Sequence, residues 1–136
     1  MALSVNREVD RYVDQELRSY PVAGSEQVFK GGFVGLDSNG YARALVASDR
    51  CVGLAYEEGD NASGSDGDVS VRVFTLGDFG HALSGASLTD IGSAVYASAD
   101  DTLTLTSAGN SYVGHVQDSP AANEIILRLR PLDQVV

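Results

Sequence analysis

Residues 31–42 read GGFVGLDSNGYA, and residues 92–103 read GSAVYASADDTL. A displacement of 61 residues sets Gly31 on Gly92 and Val34 on Val95. The same displacement carries CVGLA (51–55) onto YVGHV (112–116), with Val52 on Val113 and Gly53 on Gly114. Each copy runs strand, turn, strand, then a strand carrying Val-Gly. In the first copy the turn DSNGY (37–41) centres on Asn-Gly, whose two residues accept the positive φ angles of a tight hairpin. A second displacement, of 56, sets VSVRV (69–73) on IILRL (125–129) and Arg72 on Arg128. In VSVRVF, Val69, Val71 and Val73 alternate with Ser70 and Arg72, and Ile125, Leu127 and Leu129 alternate with Arg128 and Arg130. Such alternation is that of a strand with one face buried and one wet.

These patterns predict an all-β domain built from two similar half-units. Strands are expected near 27–30, 32–37, 41–46, 51–57, 69–76, 94–97, 102–106, 111–117 and 124–130. Closure removes exposed strand edges, so the expected form is a closed or sandwich-like β structure with pseudo-twofold character. The difference between the displacements makes the loop between the last two strands five residues longer in the first half. That loop holds GDNASGSDGD (59–68), the most polar stretch of the chain. A turn is required there. The spacing does not fit a calcium loop: counted from Asp60, the third and fifth positions are Ala62 and Gly64.

Upstream the pattern changes. Val5, Val9, Tyr12, Val13, Leu17 and Tyr20 recur at three- and four-residue spacing, which suggests a short amphipathic helix over 3–20. The chain is therefore divided into an N-terminal arm, residues 1–21, and a β-domain, residues 22–136. Such an arm packs either on its own domain or on a neighbouring subunit. Its charged residues leave no apolar core for a secretory signal, so the expected place of synthesis is a cytoplasm.

With 136 residues and a formal charge of −10, the chain is a poor candidate for nucleic-acid binding, which rests on basic patches. Eight of its nine bases are arginine, and Lys30 is the sole lysine. No run approaches the ~20 apolar residues of a membrane helix. Cys51, the only cysteine, sits in an apolar run and is read as a small buried hydrophobe. His81 and His115 lack metal-ligand company. Asp78 is placed to orient His81, but no nucleophile motif accompanies them. Glu57-Glu58 and Asp100-Asp101 are adjacent pairs, and neighbours on a strand point to opposite faces. The glycines form no phosphate-binding loop. No catalytic residue, cofactor, metal or small-molecule substrate is expected, and the aromatics, spread one per strand or turn, suit core and interface packing.

One family does share this order of features. SYPVAGSEQVFKGGFVGLDSNGYARAL (19–45), VGLAYEEGDNASGSDGDVSVRVF (52–74), GSAVYASADDTLTLTSAGNSYVGHV (92–116) and EIILRLRP (124–131) together resemble the capsid cement, or decoration, proteins of tailed bacteriophages. The resemblance spans about residues 19–130. It implies a small β-barrel or β-tulip-like sandwich on the outer surface of the virion, made in the bacterial host cytoplasm. It further implies a homo-oligomer, trimer or dimer, that binds the major capsid protein and cements neighbouring subunits against genome pressure. Interface candidates in the arm are Val9, Tyr12, Val13, Leu17 and Tyr20 as apolar anchors, with Arg7, Arg11 and Arg18 as ion-pair partners. The alternative is a virion-surface module that binds glycan or host surface.

Overall fold

A computed structural model describes residues 17–133. It is 54% strand and 3% helix, so the fold is all-β. The strands are β1 (Leu17–Pro21), β2 (Glu26–Val28), β3 (Phe33–Leu36), β4 (Ala42–Ala44), β5 (Arg50–Ala55), β6 (Gly59–Asn61), β7 (Ser70–Phe74), β8 (Gly77–Ala82), β9 (Ala94–Ala99), β10 (Thr102–Thr104), β11 (Ser111–Ala121) and β12 (Glu124–Leu129). Among the described residues no helix is long and apolar enough to cross a membrane.

The two halves are the same sheet made twice. The first five-stranded sheet has the order β1-β7-β5-β3-β4, and the second has β8-β12-β11-β9-β10. The repeat extends to the irregularities. Val34 pairs with Gly53 beside a register shift, and Val95 pairs with Gly114 beside the matching one. Gly53 and Gly114 share φ values of 155° and 154°, and Gly31 and Gly92 share 85° and 90°. At Gly53 a Cβ would fall on the carbonyl oxygen of Phe74, and at Gly114 on that of Arg128. Only glycine permits this approach of one backbone to the next.

Three expectations are corrected by the ladders. First, Leu54 pairs with Phe74 while His115 pairs with Arg128, so β7 maps onto β12 with an offset of 54 rather than 56. Arg72 corresponds to Ile126. A slip of two residues leaves every side chain on its original face, so alternation alone could not detect it. Second, Leu17–Pro21 is not helical. These residues, assigned from sequence to the arm, are strand β1, paired with β7 from Leu17↔Phe74 to Pro21↔Ser70. The 3–4 spacing of Leu17 and Tyr20 yields here to the edge of β7, which offers unpaired backbone groups. Third, the sheets do not close into a barrel. They meet along one seam, where Val46 bridges Ala99 and the Phe33 N–H donates to the Asp100 carbonyl. Of the four edge strands, β4 and β10 have three residues each and β1 ends on Pro21, while β8 runs six residues.

The symmetry also differs from a twofold, which would bury the same face of both halves. Val34, Val52, Ala55, Val71 and Val73 form an inner core with Val22, Val28 and Ala42. Their counterparts Val95, Val113, Val116, Ile125 and Leu127 lie in the core between the sheets. The opposite face of the first sheet supplies Phe33, Cys51, Leu54 and Phe74 to that same intersheet core. The halves are thus stacked head to tail. The stack ends because the outer face of the second sheet carries Ala94, Tyr112, His115 and Arg128 where the first has Phe33, Cys51, Leu54 and Phe74. Arg128 there is held by Asp78 at 2.6 and 2.8 Å.

The other end of the stack is covered by the two-stranded sheet β2-β6, and this is where GDNASGSDGD acts. Asn61 is buried, and its amide donates to the carbonyls of Val22, Ala23 and Ser65. Asp60, Asp66 and Asp68 accept backbone N–H groups of Ala62, Gly24 and Ser65. The turn expected from sequence is present, and its first residues also form β6 and pin the cover over the inner core.

Candidate interaction surface

At the open side of the sandwich the intersheet core runs out to the surface as a groove of about 670 Å³. Strand β5 and its continuation place Leu54, Ala55, Tyr56, Glu57 and Glu58 along it. Phe74 closes β7, Phe79 comes from β8, and Lys30 and Gly31 form the rim. Leu54 and Phe74 face each other because they are register partners. Phe74 then meets Tyr56 edge-on at 5.3 Å and Phe79 at 5.2 Å, a geometry that favours aromatic rings beyond their area. Tyr56 remains 39% exposed, and Phe29, just before the rim, 57%. The turn carrying Phe29 is fixed: the Gly32 N–H donates to the Phe29 carbonyl, the Gly31 N–H donates to the Ala55 carbonyl, and the Ala55 N–H donates to the Gly32 carbonyl.

Charge frames the rings. Arg72 stacks 5.0 Å over Tyr56 and grips Glu57 through two bonds of 2.9 Å, while its own backbone N–H donates to the same carboxylate. These bonds from Arg72 hold the Glu57 carboxyl down at about 2. Glu58 accepts from the Gln27 amide at 2.6 Å. Among the described residues Lys30 has no ion-pair partner. An apolar aromatic floor with a charged rim has the make-up of a protein-interface core.

The remaining chemical candidates are dispersed. His81 packs its ring against Phe33 at 5.5 Å and pairs Nδ1 with the Ala82 carbonyl, while Asp78, expected to orient it, holds Arg128 instead. His115 meets Gln117 at 2.9 Å. Partial burial, with Asp101 alongside, raises the Asp100 carboxyl above its usual range. Cys51 is buried, and desolvation pushes its thiol up to about 12. Among the described residues no group of three or more His, Cys, Asp or Glu is placed to hold a metal.

Of the interface residues expected from sequence, Arg7, Val9, Arg11, Tyr12 and Val13 lie outside the described residues. Tyr20 packs on the inner core of its own sheet, Arg18 is exposed, and Leu17 stands opposite Phe74. Sequence reasoning missed the cluster of Tyr56, Phe74 and Phe79, because nothing local marks three rings on three strands as neighbours. No family model matches the chain, and neither the curated proteins nor the solved structures yield a match.

Proposed function

We propose that this protein is a capsid cement module. It sits on the outer surface of a mature bacteriophage head and joins neighbouring major capsid subunits. The observation that carries the reading is the groove: Leu54, Tyr56, Phe74 and Phe79 form an apolar patch on an otherwise acidic protein, and such patches mark protein contacts. The likeness of residues 19–130 to decoration proteins supplies the partner, the major capsid protein, and a trimeric or dimeric assembly. The acidic charge suits an outer surface that does not compete for packaged DNA. The same likeness keeps Arg7, Val9, Arg11, Tyr12, Val13, Leu17, Arg18 and Tyr20 as candidate contacts with the capsid or a second subunit.

Co-sedimentation with undecorated, expanded heads tests the reading, with immature proheads as the control. Saturable binding to expanded heads at a fixed ratio to the major capsid protein is expected. Binding to neither particle overturns it. The clustered rings would then favour the second reading, a glycan-binding surface, measured by saturable binding on a glycan array. One face of Tyr56 is already covered by Arg72, which leaves less ring for a sugar and places that reading second.

A further inference from the structure

We propose that the free edge of β8 takes up an extended segment of the capsid partner as an added strand, whose alternate side chains enter the groove. The inference rests on the capsid reading and deepens it, by saying how the groove is filled. Its first support is the edge itself. Strand β8 ends the second sheet, with β12 on one side and no strand on the other among the described residues. It runs six residues without a proline, against three in β4 and β10, so neither brevity nor proline blunts it. The Leu83 N–H donates to the Asn123 carbonyl, one step beyond the pair Ala82↔Glu124. Backbone groups along an antiparallel strand alternate in direction. Gly77, Phe79 and His81 therefore bond to β12, while Asp78, Gly80 and Ala82 aim their N–H groups outward. All three are exposed. An open row of this kind is what strand addition uses.

The second support is where that edge lies. Phe79 is the one residue of the second sheet that lines the groove. Its partner on β12, Leu127, is buried, so the groove opens along the free side of β8 and not beneath β12. Side chains alternate across a strand. A strand laid beside β8 thus turns every second side chain to the face of Phe79, over Leu54, Tyr56 and Phe74, and the others to the outer face with Asp78 and Gly80. The first set is apolar, to match that floor. The outer set meets no obstacle at Gly80, where nothing lies within 4 Å of an added Cβ. Charge narrows the partner further. Arg72 is taken by Glu57 and Arg128 by Asp78, while Lys30 at the rim has no ion-pair partner among the described residues. The fitting segment is therefore extended, apolar at alternate positions, and acidic where it reaches Lys30.

The test is amide hydrogen exchange of the full-length chain, free and bound to expanded heads, read by mass spectrometry on peptides covering β8. The amides of Asp78, Gly80 and Ala82 are expected to exchange fast in the free protein and roughly tenfold or more slowly on the heads. Unchanged exchange in protein that does co-sediment overturns the added strand and leaves the capsid reading standing, whereas absence of co-sedimentation overturns both. Protection already present in the free protein, and rising with its concentration, overturns the proposal in favour of β8 edges paired between copies. Two full-length variants give a second readout. Gly80→Pro removes the central outward N–H at an edge position, where proline is tolerated, and Gly80→Ala keeps it. The proline variant is expected to lose roughly tenfold in affinity for expanded heads, the equivalent of one hydrogen bond, while the alanine variant binds like the parent. Equal binding by a folded Gly80→Pro chain refutes the proposal.

Discussion

The duplicated glycines permit a quantitative test of the fold. Gly114→Ala places a methyl group on the carbonyl oxygen of Arg128. Two costs combine. The positive φ of 154° is unfavourable for an L-residue by about 1–2 kcal/mol. The clash is with backbone in the middle of a ladder, which cannot rotate aside, and overpacking of this kind costs about 1–3 kcal/mol. The total is about 2–5 kcal/mol, a large part of a domain's usual stability of about 5–15 kcal/mol. At about 4 °C per kcal/mol for a chain of this size, Tm falls by roughly 8–20 °C. Gly92→Ala is the control. Its φ is 90°, but nothing lies within 4 Å of the added Cβ, so only the first cost applies and Tm falls by about 4–8 °C. Gly53→Ala, against Phe74, should match Gly114→Ala. Differential scanning calorimetry of the three variants decides the matter. If Gly114→Ala melts with Gly92→Ala, the close approach of β11 to β12 is not what that glycine serves, and the argument fails.

The pair of Glu57 and Arg72 makes stability pH-dependent in one direction. Glu57 has its carboxyl lowered from an ordinary 4.5 to about 2, so the folded state favours the charged form. The contribution is fully present above about pH 4.5 and is lost as pH falls through about 2. A plot of Tm against pH should be flatter in that window for Glu57→Gln than for the parent, and parallel curves contradict the assignment. Cys51 should resist iodoacetamide at pH 8 in the native protein and react once it is unfolded in guanidinium; native alkylation counted by mass spectrometry would show that its burial is wrong. Asn61→Ala leaves the carbonyls of Val22, Ala23 and Ser65 without their donor. A loss of about 2–4 kcal/mol in urea unfolding is expected, and a loss under 0.5 kcal/mol would mean the β2-β6 cover is not held by this residue.

The amino-acid sequence by itself determined the class, the central strands of both sheets and the repeat. Alternating apolar residues in VSVRVF and EIILRLR, the Asn-Gly turn at 39–40 and the paired Val-Gly positions are local signals, and each came through in the ladders. Strand β8, GDFGHA, escaped notice because it has two glycines and no β-branched residue, and only its pairing with β12 makes it a strand. Leu17–Pro21 shows the same competition, local spacing against an edge in need of a partner. Which face of each half is buried was decided by tertiary structure alone. Val34 and Val95 are equivalent in sequence, yet one lies under the β2-β6 cover and the other against the first sheet. A strand's alternation fixes that two faces differ but not what lies against either. The groove follows the same rule. Tyr56, Phe74 and Phe79 sit on separate segments, and only the stacking of one sheet on the other, left open along one side, brings their rings together at the surface.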